Sequence, residues 1–82
     1  MTNQELRERA HDTDVTVWVG KEGISSVVDE LNDQIAQRDL VKVKFLRAAR
    51  GDDDTETLAA DLADEVNAEV IDVRGHTAVL HR

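Results

Sequence analysis

The chain contains no cysteine, which excludes disulfides, thiolate metal sites and cysteine nucleophiles together and fits a reducing compartment. It also lacks long apolar runs. The amino terminus, Met1 to Arg9, has no hydrophobic segment of the signal-peptide kind, and the longest apolar stretch is the few residues around Val17-Trp18-Val19. Neither a secretory signal nor a membrane span is expected, so the reading is a cytoplasmic protein. Lysine is scarce, limited to Lys21, Lys42 and Lys44, and the formal net charge is −8. That balance taken alone argues against a nucleic-acid partner, because phosphate binding is driven by Lys and Arg displacing condensed counterions. An excess of Asp over Glu with little Lys is instead the bias of a protein working in molar salt. There the Debye length falls to about 3 Å, acidic self-repulsion is screened, and hydrated carboxylates keep the surface soluble.

What is present is short and unevenly charged. With 82 residues the chain is read as one domain, residues 1–82, that buries roughly 60% of its unfolded surface and is modestly stable. Between Arg38 and Arg50 the bases Arg38, Lys42, Lys44, Arg47 and Arg50 face only one acid, Asp39. From Gly51 to Val73 the acids Asp52, Asp53, Asp54, Glu56, Asp61, Asp64, Glu65, Glu69 and Asp72 meet no base. One part of the fold should be basic and another a solvated acidic face.

Thr2 followed by Glu5 reads as a capping box opening a helix over Asn3 to His11. Val15 to Val19 alternates β-branched and aromatic residues as a strand. Ile24, Val27, Val28, Leu31 and Ile35 recur at helical spacing, with Ser25 or Ser26 placed to cap, and predict an amphipathic helix ending near Arg38-Asp39. In Leu40 to Leu46, period-two alternation puts Val41, Val43 and Phe45 on one side of a strand and Lys42 and Lys44 on the other. Leu58, Ala59, Leu62, Ala63 and Val66 mark the inner face of a third helix. Glu69 to Arg74 and Thr77 to His81 then read as a hairpin turning at Gly75-His76, a glycine-first pair. The order is α-β-α-β-α-β-β, an α+β fold. Its two β-α-β crossovers imply a four-stranded mixed sheet in which the hairpin supplies the antiparallel pair.

The one segment with chemistry of its own is Gly20-Lys21-Glu22-Gly23, between a strand and a helix. Glycine lets the backbone approach a ligand, amides at a helix start donate to an anion, and Lys21 adds charge, a combination suited to a phosphate group. A tight turn would use the same residues, and the longer nucleotide-triphosphate loop pattern is absent. Without cysteine or a carboxylate partner at ligand spacing, His11, His76 and His81 define no metal site, and no cofactor is implied. His76 is read as a turn residue within reach of a ligand. Trp18, in mid-strand, is expected in the core in preference to serving as a base-stacking platform. Asp52-Asp53-Asp54 is read as a helix-capping loop in preference to a cation site. No nucleophile with a base and no isolated carboxylate pair is present, so an enzyme is not expected.

Three blocks carry a wider likeness. Val17-Trp18-Val19-Gly20-Lys21-Glu22-Gly23-Ile24-Ser25, then Asp39-Leu40-Val41-Lys42-Val43-Lys44-Phe45-Leu46, then Ala68 to Arg82 with Gly75-His76 and Val79-Leu80-His81-Arg82 resemble the signature blocks of the CRM domain. This is the chloroplast RNA splicing and ribosome maturation family that includes the bacterial YhbY proteins. Three blocks in order and spacing are far more specific than one Gly-x-x-Gly. The resemblance implies a fold similar to the carboxy-terminal domain of translation initiation factor three, and RNA binding directed at ribosomal RNA or large-subunit precursors. It maps the loop onto Gly20, Lys21 and Gly23 and the basic strand onto Lys42 and Lys44. With Glu22, Arg47, Arg74 and His76 these make up the expected RNA surface of a monomer. The chain departs from the family at Asn67, where glycine is usual, at His81, where tyrosine is common, at Asp14, where proline often stands, and in being acidic. The rival expectation is an acidic adaptor or nucleic-acid mimic that binds a basic protein through helix three. Such a protein has no use for the basic segment from Arg38 to Arg50.

Overall fold

Four strands hydrogen-bond into one sheet, and two unequal helical layers sandwich it. The structure, a computed structural model, describes residues 3–51 and 53–82. The elements are α1 (Asn3–His11), β1 (Val15–Val19), a 3-10 turn (Ile24–Val27), α2 (Val28–Gln37), β2 (Val41–Phe45), α3 (Arg47–Arg50), α4 (Thr55–Glu65), β3 (Glu69–Arg74) and β4 (Thr77–His81). The sheet order is β1-β2-β4-β3. β2 runs parallel to β1, and β4 runs antiparallel to both β2 and β3. Hence β1, β2 and β3 share a direction, and α4 carries the chain across a position that β4 later fills. The α+β architecture with a mixed four-stranded sheet is the one the sequence predicts.

Strand register sorts side chains onto two faces. Val17, Val43, Ala78 and Val73 align across the strands and point toward α2 and α4. There they join Val19, Phe45, Leu80, Leu31, Ile35, Leu58 and Leu62 in the main core. The opposite face carries a second, smaller cluster of Leu6 and Ala10 from α1 against Leu40, Ile71 and Val79. Bulges at Thr16 and at Ile71 interrupt the ladders. The first frees Thr16 to bond Gln34 of α2, its hydroxyl donating to Oε1 at 2.6 Å, and the second places Ile71 beneath α1.

Local chemistry explains the ends of the elements. The side chain of Asp54 accepts the Thr57 amide at 2.7 Å as the N-cap of α4, so the capping role expected of the aspartate loop holds at Asp54, while Asp52 lies outside the described residues, as does Thr2 of the expected capping box. α4 closes with the Ala68 amide on the Ala63 carbonyl (2.8 Å) and the Asn67 amide on the Asp64 carbonyl (3.4 Å), with Asn67 at φ +54°. That is a Schellman closure, which asks for glycine and accepts asparagine at its left-handed position. The departure from the family's usual glycine is thereby accommodated. Arg82 clasps the same helix end, donating to the Val66 carbonyl at 2.8 Å and to the Asn32 side chain of α2. Gly75, at φ +55°, leads the β3–β4 turn as the glycine-first pair requires.

Two expectations need correction. The helix expected from Ile24 begins as a 3-10 turn and becomes α-helical only at Val28. Its serines do not cap it: Ser26 Oγ donates back to the Gly23 carbonyl at 2.8 Å and accepts no amide. Between β2 and α4 a further single turn, α3, forms from residues whose spacing gave no helical period.

Candidate nucleic-acid interface

The ends of β1 and β2 and the β3–β4 turn meet at one edge of the sheet. The Leu46 amide donates to the Val19 carbonyl at 2.9 Å, and the Phe45 amide donates to the His76 carbonyl at 2.8 Å. The loop Gly20 to Gly23, the turn Gly75-His76 and α3 are therefore neighbours there, and Lys21, Glu22, Arg47 and His76 are all exposed. Within the loop the Gly23 amide closes a turn on the Gly20 carbonyl at 3.0 Å. Gly23 sits at φ +82° and ψ −177°, a region that only glycine enters readily. Gly20 has no such requirement, since its backbone is ordinary and a β-carbon there would meet nothing nearer than Glu22 Oε2 at 4.0 Å.

The loop does not lead directly into an α-helix. Because a 3-10 turn intervenes, α2 starts five residues beyond Gly23, and the dipole of an α-helix falls off within its first turn. Lys21 and the loop backbone, rather than a helix terminus, are what the loop offers a phosphate.

Below the loop, the face turned away from α2 and α4 holds the basic strand. Register aligns Trp18, Lys44, Thr77 and Arg74 in one row and Val15, Lys42, Val79 and Asp72 in the next. Lys44 is exposed and Lys42 half-buried. Lys42 borders a small cleft of about 60 Å³ with His11, Asp72, Arg74 and Thr77 at the end of α1. Arg74 is held in place there: its Nε donates to Asp72 at 3.0 Å, and its Nη2 lies 3.0 Å from His11 Nε2. Of the expected residues, Gly20, Lys21, Glu22, Gly23, Arg47 and His76 gather at the sheet end. Lys42, Lys44 and Arg74 extend from it down one face.

The basic segment does not form a single patch. Arg38 caps the end of α2 at the opposite edge of the sheet, and Arg50 turns inward with its Nε buried and unpartnered. His76 also borders a wider hollow with Arg50, Asp53, Asp54 and Glu56, where three carboxylates outweigh one guanidinium and disfavour an anion. The remaining histidines each meet a partner within the fold: His11 contacts Arg74, and His81 Nδ1 lies 2.7 Å from the Asp39 carbonyl. Among the described residues no group of three or more His, Asp or Glu side chains is arranged to hold a metal, and no helix is long and apolar enough to cross a membrane.

Trp18 overturns its expectation. It is 53% exposed and Leu46 is 40% exposed, the only large apolar side chains left in water among the described residues. The alternation that buries Val17 and Val19 puts Trp18 on the opposite face, and α1, packed toward β3 and β4, does not reach it. Leu46 shares the parity of Lys42 and Lys44 and was equally readable.

Comparison with known proteins agrees with this architecture. The CRS1 / YhbY (CRM) domain model matches residues 2–82. A probable RNA-binding protein of Methanocaldococcus jannaschii is 43% identical over 77 residues, covering 94% of this chain, which spans 58% of that protein's length. The solution structure of a hypothetical Staphylococcus aureus protein, described as a candidate RNA binder, superposes with a TM-score of 0.82 at 31% identity over 98% of this chain and 82% of the other. Matched from its second residue to its last, the chain belongs to the CRS1/YhbY (CRM) domain family.

Proposed function

We propose that the protein binds RNA, directed at ribosomal RNA or large-subunit precursors, through the Gly20-Lys21-Glu22-Gly23 loop and the adjacent basic strand. The observation that carries the reading is the register that sets Lys42 and Lys44 on the face leading down from the loop, opposite the acidic helices. Arg47, Arg74 and His76 border the same surface. The family and the RNA-binding description of the Methanocaldococcus relative support an RNA partner. The rival role, an acidic adaptor for a basic protein, would use the outer surface of α4, the third helix expected from the sequence, and leave Lys42 and Lys44 idle. The domain acts as a monomer in the cytoplasm, without catalysis, and its acidic layer is an adaptation to high salt.

Lys21→Glu tests the loop. Removing a charge-assisted hydrogen bond weakens RNA binding by about 1–3 kcal/mol, while folding stays unchanged because Lys21 is exposed. Wild-type affinity at matched salt would remove the loop from the site. Sequencing RNA crosslinked to the tagged protein in its native host identifies the target, and a pool without ribosomal precursors would discard the ribosomal assignment.

A further inference from the structure

Two exposed apolar side chains lie where the sheet should be either covered or polar. Trp18 and Leu46 are the only large hydrophobics in water among the described residues, and they are not scattered. Trp18 pairs with Lys44, and Leu46, two residues further on, bonds through its amide to the Val19 carbonyl. Adjacent strands are about 4.8 Å apart, so the indole, the Leu46 side chain and the Lys44 stem form one small surface. It adjoins the loop that begins at Gly20. Isolated exposed apolar residues need no explanation; two together on one face beside a cation and a glycine loop do.

The geometry points to a base-stacking platform: we propose that Trp18, flanked by Leu46 and Lys44, stacks an unpaired base of single-stranded RNA. The proposal rests on the RNA-binding reading above. Trp18 is half exposed, which leaves its ring free to receive a base. Every base presents a π-face, so such a contact is tolerant of sequence and selects for unpaired strands, since paired bases cannot be splayed onto a side chain.

Charge decides which occupant fits. Beyond Trp18 the cross-strand row continues through Lys44 to Thr77 and Arg74, and the next row contributes Lys42 and Asp72, the carboxylate being paired with Arg74 and both lysines left for a ligand. A strand whose base lies on Trp18 thus finds cations for its phosphates on the same face. A second copy of this chain, with net charge −8, would bring an acidic surface overall and an identical lysine face to face across a symmetric contact.

The sequence supplies the probe, because Trp18 is the sole tryptophan and tyrosine is absent. The experiment titrates the full chain with a single-stranded oligonucleotide, a duplex of the same length and an abasic ribose-phosphate oligomer. It follows Trp18 emission together with the anisotropy of labelled RNA. The platform requires quenching by the single strand, little by the duplex and none by the abasic chain. Trp18→Ala should weaken single-strand binding about 5- to 150-fold, the range for one stacked base, and leave the salt dependence of affinity unchanged. Trp18→Phe should recover most of the loss, and Lys44→Gln should lower the salt dependence instead. If wild-type protein and Trp18→Ala bind single strands equally, the platform is overturned while the RNA-binding reading stands; if wild-type protein binds none of the RNAs, both fall. Emission that shifts with protein concentration without RNA, together with a dimer in sedimentation, would assign the face to self-association and overturn the proposal.

Discussion

The two faces of the sheet do different work with the same alternating strands. Toward α2 and α4, Val17, Val19, Val43, Phe45, Ala78 and Leu80 are sealed beneath two helices. The outer surfaces of those helices carry Asp29, Glu30, Asp33, Glu56, Asp61, Asp64 and Glu65, all exposed. Toward α1 the cover is partial: Leu6 and Ala10 close over Ile71 and Val79, and the β1 side is left with Trp18, Lys44 and Leu46 in water. A net charge of −8 therefore describes neither face. The acids of α2 and α4 sit behind the packed core, one layer of helix and one of sheet away from the lysines, while Asp72 borders Lys42 and Glu5, Glu8 and Asp12 lie along α1. At an ionic strength near 1 M, where the Debye length is about 3 Å, that separation screens the acids of α2 and α4 from anything bound on the lysine face.

Truncating each of the two aromatic residues in turn separates the faces most strongly. Phe45 is buried in the main core, and Phe45→Ala should cost about 3–5 kcal/mol from lost burial and the cavity left behind. Trp18→Ala removes a larger side chain yet should cost only about 1–2 kcal/mol, because half of that side chain is already in water. Urea unfolding of both variants in high salt decides it. A Trp18→Ala cost comparable to that of Phe45→Ala would mean that the open half of the sheet is structural.

A smaller effect separates the charges. Replacing Lys42 and Lys44 together by Gln should cost about 1–3 kcal/mol of RNA affinity and shift the slope of log affinity against log salt in the positive direction, relative to wild type, by about 0.7 for each phosphate no longer neutralised. Neutralising Asp61 and Asp64 on the far layer should raise affinity only in dilute buffer, where repulsion reaches about 10 Å or more. Wild-type affinity should accordingly be flat or greatest at intermediate potassium chloride. A steep linear decline on a protein folded throughout would mean that the acidic layer has no bearing on recognition.

Much of this was legible from residues alone, and the gaps have physical causes. The limits of α1, β1, β3 and β4 follow from short-range signals: alternation, a glycine-first turn and helical spacing. The parity that exposes Trp18 was also present, in that Val17 and Val19 cannot be buried on one face without sending residue 18 to the other. Whether a residue on the second face is covered depends on where α1 lies, and that is set by the distant contact of Leu6 and Ala10 with Ile71 and Val79. The 3-10 turn after Gly23 is hidden in the sequence because its apolar spacing also suits an α-helix. α3 is a single turn, too short for any period to register. Asn67 shows the reverse case, in which a departure from the family pattern turns out to be an ordinary answer to a left-handed position. Asn67→Val should cost about 1–2 kcal/mol and Asn67→Gly almost nothing, as thermal unfolding would show.

The smallest effect lies within the acidic layer. Asp54 is surrounded in sequence by Asp53 and Glu56, and like charges raise a carboxyl's proton affinity. Its pKa is nonetheless held below the ordinary 3.8 by hydrogen bonds from Thr57, the side chain first and the backbone amide second, against a weak opposing effect of burial. A carboxyl whose folded pKa is depressed binds protons more readily in the unfolded chain, so the cap contributes in full above the unfolded value of about 3.9 and is lost as pH falls through the folded value. Asp54→Asn preserves a good N-cap acceptor and removes the titration. The difference in unfolding free energy between the two proteins, measured in urea from about pH 7 down to 3 in high salt, should be constant above pH ~4.5 and should fall in the mutant's favour below it. Because the other acids titrate in both proteins, their contributions cancel in that difference. Parallel curves down to the acid limit would mean that Asp54 is not held by Thr57, and that α4 begins without the cap that keeps a carboxylate ionised in the most acidic part of the molecule.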